Sequence, residues 1–567
     1  MKTKLLCLLL ALTMLLPSLV ACQITIEGGV NGNAQLNGDV NANANVIANQ
    51  NNTATSEDVA PETESPSTPP TTDNENEATT STEPTTPTTP TTPTAPTTPP
   101  TTDNGYDFLG ADFKILARES TLYEYDVDYS DIGNKVDMAV YQRNRAIEEQ
   151  YNVHIDIEAV ACDDGDRKDF TTKLATSVAS GASPWHMCSG HATVISPQQY
   201  NGYCTDLMAL PELDVTKEWW SKGFYNECNF GGKLFFAMGD IAYTMHEYME
   251  VLFVNETLYS NHTVGGEGDV DALYGLVRNG DWTYEIFKGY CLDYATNSST
   301  VDTMERDYGF VTNGHNMRSF VPAAEANFTY RDESTGKMVL YETPTQKMVD
   351  YFADLKSFVV DNSGNNGKCN VYYPGANSAA EAKGNTLFTT GKGLFYGQQL
   401  GQAQYFSDMK QSYGVLPMPK YDELQENYHT TLRISASAIM VPKNVAEDAR
   451  EMTGVVIEAL CIYGYQTICP AFYETILFNH ILNDTDRVET LELIRDSFMI
   501  DFSLANTFGF VNNAPNGQGT HPHAVLASYL ASDNEFTTMW ANNYGVLNGA
   551  MQTMNDKIQQ FYGSAQS

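Results

Sequence analysis

Phe113-Lys114-Ile115-Leu116-Ala117 and, farther on, Val153-His154-Ile155-Asp156-Ile157-Glu158 flank a stretch of helical periodicity, and these three segments decide the fold class. The first is a short apolar run. The last alternates apolar and polar residues with period two, as a half-buried strand does, while Val136, Val140 and Ile147 recur at helical spacing across Val136 to Tyr151. Strand, helix and strand in succession make a βαβ unit, which requires a parallel sheet and a right-handed crossover. A second helix candidate, Phe170 to Ser180, leads into Trp185-His186-Met187-Cys188, a short strand entering a Ser189-Gly190-His191 turn. The repeated alternation places the chain in the α/β class.

Downstream, Lys233 to Ala237 and Met249 to Asn255 read as strands, and Trp282 opens a helix over Tyr284 to Tyr294. A helix is expected from Thr345 to Val360, then a buried strand Gly393-Leu394-Phe395-Tyr396-Gly397 ending in a glycine turn. Tyr413-Gly414-Val415-Leu416-Pro417-Met418-Pro419-Lys420 follows. After a polar excursion come Ser437 to Val441 with Pro442-Lys443, and helical spacing from Ala446 to Tyr463.

The order of these segments resembles the bacterial extracellular solute-binding proteins, type 1, the sugar-binding group that serves ABC importers. The pieces that carry the resemblance are Met249-Glu250-Val251-Leu252-Phe253-Val254-Asn255, Gly280-Asp281-Trp282-Thr283, Gly391-Lys392-Gly393 running into Leu394 to Gly397, and Tyr413 to Lys420 followed by the strand ending at Val441-Pro442-Lys443. It covers roughly Tyr106 to Gln559. It implies an α/β, two-lobed, periplasmic-binding-protein-like fold of type II, the lobes joined by hinge crossings. The chain would pass over near Tyr248, return near Tyr413 and cross again around Cys469. Residues 106–247 plus 414–468 would then form one lobe, and 248–413 plus 469–567 the other.

By the same resemblance, ligand-binding residues are expected at His191 after the third strand, Glu247 and Tyr248 at the first crossing, and Gln398 and Gln399 after the glycine strand, with Arg433 and Tyr473 near later crossings. Sugars suit such residues, since aromatic rings cover the C–H face of a pyranose while amides and carboxylates take paired hydroxyls. Relatives often place a Trp on the sugar where this chain has Gln399, and that departure counts against an oligosaccharide ligand.

At the N-terminus, Lys2 and Lys4 precede an apolar run from Leu5 to Leu16, and Leu19-Val20-Ala21-Cys22 follows. The run is short for a span, which needs roughly 20 apolar residues. The pattern resembles a lipoprotein signal peptide over 1–21, with Cys22 as the lipidated first residue of the mature chain. Residues 22–105 form an Asn/Gly-rich tract and then Thr-Thr-Pro repeats, and between Gln23 and Gly105 there is no Lys or Arg. Such composition reads as a disordered stalk, its Pro-rich half an extended polyproline II rod and a plausible site of O-glycosylation. No second apolar run of spanning length is expected after Cys22, which leaves the lipid as the membrane contact.

With 71 acidic against 32 basic residues among 567, the formal charge is −39, which disfavours nucleic acid as a partner. Eight cysteines follow Cys22, namely Cys162, Cys188, Cys204, Cys228, Cys291, Cys369, Cys461 and Cys469; most read as buried thiols, with one bridged pair left open. No cofactor or metal is expected. His246-Glu247-Tyr248-Met249-Glu250 lacks the second His of a zincin helix, and Gly391-Lys392-Gly393 lacks the earlier glycine and the Ser or Thr of a phosphate loop. No Gly-x-Ser-x-Gly elbow is present. His521-Pro522-His523 reads as a surface loop more readily than as a metal site. Two functions follow: a lipid-anchored binding protein delivering a carbohydrate-like solute to the permease subunits of an ABC transporter, or a stalked cell-surface enzyme or adhesion protein acting on polymers.

Overall fold

In the computed structural model the described residues are 105–563, except 164–165, 264–267, 296–302, 364–368, 376–377, 478–484 and 507–520. The signal peptide, Cys22 and the stalk fall outside them, apart from Gly105.

The first sheet begins with β1 (Ala111–Arg118). Helix Lys135–Tyr151 follows because Asn134 caps it, accepting from the backbone N–H of Val136 and Asp137 while the Asp137 side chain reaches back. It stops at Asn152, which takes the left-handed conformation at φ 49°. β2 (Val153–Val160) then pairs parallel with β1, Ala111 opposite Val153 and Arg118 opposite Val160. β3 (Met187–His191) pairs parallel with the other edge of β1. The strand Ser437–Met440, β11 in chain order, completes this sheet antiparallel to β3, with Ser437 opposite His191.

The second sheet has the order β10-β4-β9-β5-β8. Its strands are β4 (Glu250–Asn255), β5 (Tyr308–Val311), β8 (Val371–Tyr372), β9 (Gly393–Gln399) and β10 (Tyr413–Leu416), and β6 (Thr329–Arg331) with β7 (Met338–Leu340) forms a separate hairpin. Every residue of β4 and β9 is buried, which is why both read as continuous rather than alternating runs. Trp282, Phe287, Phe310, Phe320, Phe358 and Phe395 pack mostly edge to face beneath this sheet, so much of the chain's aromatic content is core.

Among the described residues, three backbone segments join the two sheets as a ribbon. Glu250 N donates to Thr431 O at 2.8 Å and Arg433 N to Tyr248 O at 2.9 Å, so the outgoing and returning segments run antiparallel around the Met249–Leu432 pair. Thr430 N donates to Ser497 O at 3.0 Å and Met499 N to Thr430 O at 2.8 Å, which adds the third. This is the two-lobed α/β arrangement with hinge crossings.

The lobe boundaries differ from expectation. The return does not occur at Tyr413, because β10 pairs with β4 and Trp282 Nε1 holds the Pro417 carbonyl at 3.0 Å; the chain leaves the second sheet at Thr430–Arg433. Nor does it cross at Cys469. Helix Arg450–Tyr463 runs through a π-helical turn (Gly464–Ile468) into helix Cys469–Leu477, which packs on Lys135–Tyr151, while Thr485–Asp496 packs on β10 and Ser497–Met499 brings the chain back. The C-terminal helix Phe536–Tyr562 touches both sides: Trp540 Nε1 donates to Tyr341 O at 3.0 Å, and the Tyr562 hydroxyl accepts from Cys204 N at 3.1 Å.

Other local readings also change. Lys233 to Ala237 is no strand: Leu234, Phe235 and Phe236 are buried, but the segment pairs only at Lys233 and Ala237. Ser189-Gly190-His191 lies inside β3, and Gln398 and Gln399 inside β9, rather than in turns. Continuous helix over Glu447–Ile476 is long and apolar enough to span a membrane, contrary to expectation; two-thirds of its most apolar window is buried in the protein. All eight cysteines after Cys22 are buried free thiols, so none is bridged.

Candidate functional site

Each sheet turns the same kind of edge to the hinge. β3 ends at His191, opposite Ser437 where the returning chain enters β11, so the carboxyl ends of β1, β2 and β3 lie on the hinge side. In the second sheet β4 leaves the hinge, so β9 antiparallel to it, and β5 and β8 parallel to β9, run toward the hinge; Gln399 stands opposite Glu250. A crevice outside the carboxyl ends of strands is where open α/β sheets hold ligands.

On the first-sheet side, Arg118 at the end of β1 donates to Asp163 just beyond β2 and, at 2.7 Å, to the Ser435 carbonyl on the returning segment. Glu124 is fully buried; its carboxylate accepts from Thr244 N at 2.9 Å and from Ser437 Oγ at 2.6 Å, fastening both crossings to this sheet. Glu247 accepts from the Tyr123 hydroxyl at 3.1 Å. Burial pushes its carboxyl up to about 7, the Tyr123 hydrogen bond opposing and the Glu124 charge adding. Tyr248 is half-buried, and the pKa of Tyr405, 52% exposed, is raised by partial burial with the Glu247 charge adding.

Across the ribbon, Arg433 donates to Glu250 (3.2 Å), Glu381 (3.2 Å) and Gln398 (2.8 Å). Gln398 in turn donates to the Tyr396 hydroxyl at 3.1 Å. Beyond the end of β5, His315 is held neutral: burial lowers its pKa to about 2, with the Arg433 and Arg318 charges adding to the shift. Asn313 Nδ2 is buried there with no partner among the described residues, and a buried polar atom of this kind calls for a water or a ligand.

Five of the expected residues therefore gather at the hinge: Glu247, Tyr248, Gln398, Gln399 and Arg433. Tyr473 reaches it indirectly, its hydroxyl 2.9 Å from His246 Nδ1. His191 is buried and turned to local use, accepting from Thr193 N at 3.3 Å as the cap of a short helix; burial holds its pKa well below the usual value. Arg118, Glu124, Asp163, Glu250, Glu381 and Asn313 were missed, and only Arg118 carried a signal, as the polar residue closing the first strand. His521-Pro522-His523 is no surface loop: it is buried at the start of helix Pro522–Leu530, with His523 Nε2 3.3 Å from Asp501 Oδ1. A groove of about 600 Å³ along helix Arg167–Ser180, lined by Thr172, Thr176, Pro184 and Trp185, contains none of these groups.

The arrangement gathers carboxylates, amides, guanidinium groups and tyrosine rings at the hinge, a mixture of donors, acceptors and aromatic faces that fits a hydroxylated solute. No protein-family model and no curated protein matches the chain. Among solved structures it is similar to the ABC substrate-binding protein Lmo0181 from Listeria monocytogenes in complex with cycloalternan, at 15% identity over 80% of this chain and 100% of that one, with a TM-score of 0.45. It is also similar to the GacH receptor of Streptomyces glaucescens, at 13% identity over 80% and 98% with a TM-score of 0.44. A third is the galacto-N-biose-/lacto-N-biose I-binding protein of the ABC transporter from Bifidobacterium longum, at 12% identity over 81% and 99% with a TM-score of 0.46.

Proposed function

We propose that the protein is a lipid-anchored solute-binding protein. It captures a small carbohydrate-like solute between its two sheets and delivers it to the permease subunits of an ABC importer, held on the extracellular face of the cell membrane by lipid on Cys22. The observation that carries this reading is the convergence of strand carboxyl ends from both sheets on the hinge, where three crossings pair among the described residues. Contacts from both sides exist together only when the crevice is closed, so ligand shifts the population toward the closed form, and a permease can tell loaded from empty. The polar groups at the hinge serve recognition in this reading, and no bond is broken.

Thermal shift across a panel of mono- and oligosaccharides, amino acids and peptides tests it. One class of hydroxylated solute stabilises the protein, by about 2.7 kcal/mol at 100 times its dissociation constant. A panel with no shift, together with cleavage of a polysaccharide, overturns the proposal in favour of a surface enzyme.

A further inference from the structure

Behind the hinge, on the first-sheet side, three donor atoms of different chemistry converge. His246 Nε2 lies 2.6 Å from Asp240 Oδ1, and Cys469 Sγ lies 3.2 Å from each of them. All three residues are buried, with exposures of 2% for His246 and 5% for Asp240 and Cys469. Asp240 and His246 come from the segment that leads into the outgoing crossing, whereas Cys469 opens the helix packed on Lys135–Tyr151.

Protons satisfy this triangle poorly. The imidazole N–H fills the edge to Asp240 and the thiol S–H fills one more, which leaves the remaining edge without a hydrogen of its own. A single cation seated over one face of the triangle would answer all three atoms at once. The other edge of the imidazole is already arranged for that role: the Tyr473 hydroxyl sits 2.9 Å from Nδ1, where it can accept from Nδ1–H, the tautomer that leaves Nε2 as a lone-pair donor. Metal-bound histidines are held by an outer partner in this way.

We propose that Asp240, His246 and Cys469 bind one borderline divalent cation, Zn²⁺, as a staple at the root of the hinge. A set of one thiolate, one imidazole and one carboxylate suits zinc and excludes calcium or magnesium, which take oxygen ligands. Binding expels the thiol proton. The bound ion ties the segment before the first crossing to a helix far along the chain, so it acts on stability without touching the crevice.

The test uses the purified protein, stripped with chelator and then reloaded by dialysis or by refolding with zinc or cobalt. One zinc per chain, a higher melting temperature with zinc, and a near-ultraviolet thiolate-to-cobalt charge-transfer band with Co²⁺ are expected. Cys469→Ser removes the band, and His246→Gln removes stoichiometric zinc. Should either variant fail to fold, the wild-type spectrum decides alone. Substoichiometric zinc, no charge-transfer band and a melting temperature indifferent to chelator overturn the proposal and leave a hydrogen-bonded cluster. Solute affinity plays no part in these readouts, so they stand or fall separately from the transport reading.

Discussion

Glu250 and Arg433 face each other across the antiparallel crossings, carboxylate Oε1 3.2 Å from guanidinium Nε, at the point where the chain first enters the second sheet and where it leaves. Asn316 Nδ2 donates to the other carboxylate oxygen at 2.8 Å, and Glu381 and Gln398 take the remaining arms of the guanidinium. Glu124 does the corresponding work on the first sheet by holding Thr244 and Ser437. Each lobe thus grips both crossings through one buried carboxylate, which leaves the short ribbon between them as the place for bending.

Arg433→Ala leaves Glu250, 2% exposed, with no counter-ion beside it. Removing one partner of a buried pair costs about 3–5 kcal/mol. Urea unfolding of the empty protein should show a loss of that order, and Arg433→Ala combined with Glu250→Gln should recover part of it. A loss below about 1 kcal/mol would mean that the pair is solvated and does not organise the hinge.

The Glu247 carboxyl has a folded pKa of about 7 against an ordinary 4.5. With the folded value raised, its contribution to stability is complete below the ordinary value and is lost as pH climbs from there through about 7. The shift corresponds to on the order of 3 kcal/mol between the two limits. Glu247→Gln, neutral at every pH, should flatten the stability profile between pH 5 and 8 and make the protein more stable than wild type at pH 8. Parallel profiles for the two proteins would count against a buried, protonatable Glu247.

Gly401 lies against the first crossing. A Cβ there would collide with Glu247 Cγ and stand 3.1 Å from the Glu247 carbonyl oxygen. Overpacking of this kind costs about 1–3 kcal/mol. Gly401→Ala should therefore destabilise the protein and weaken solute capture, because it wedges a loop of the second sheet away from the crossing. Gly545→Ala, in the exposed part of the C-terminal helix with nothing within 4 Å of its Cβ, should instead stabilise by about 0.5–1 kcal/mol and serves as the control.

Membrane attachment is expected to depend on Cys22 alone. Cys22→Ala should move the protein from the membrane fraction to the soluble one with solute affinity unchanged. Continued pelleting with membranes would assign attachment to another segment.

The α/β class and most elements were legible in the sequence because they rest on local periodicity. Val153, Ile155 and Ile157 alternate where β2 forms, and Val136, Val140 and Ile147 mark the helix before it. The site was legible in two ways: from a recognisable strand, and, for Glu247, Tyr248 and Arg433, through the resemblance that puts them near the crossings. Gln398 and Gln399 could be found from the glycine strand they close. Arg433, Glu250 and Glu381 meet from three separate stretches, and no one-dimensional pattern links a guanidinium to carboxylates so far apart. Lys233 to Ala237 misled for the opposite reason: an apolar run records burial, and here burial comes with a single bridge to β11, at Ala237, rather than a ladder. The return crossing was misplaced because β10 has the composition of any buried strand, and only its pairing with β4 assigns it to the second sheet.

Tyr248 and Gln398 separate recognition from scaffolding. Gln398 is 2% exposed and ties Arg433 to Tyr396, so Gln398→Ala takes one hydrogen bond from each of two buried groups and should cost about 1–3 kcal/mol in the empty protein as well as affinity. Tyr248 is half-buried at the crossing and carries only part of its ring in the core. Tyr248→Ala should therefore reduce solute affinity by at least tenfold while the empty protein melts within a few degrees of wild type. The two variants are compared by calorimetric titration with the best solute from the panel and by melting without it. If Tyr248→Ala lost as much stability as truncation of a fully buried aromatic residue, about 3–5 kcal/mol, and kept its affinity, the ring would be packing and the crevice would recognise its solute elsewhere.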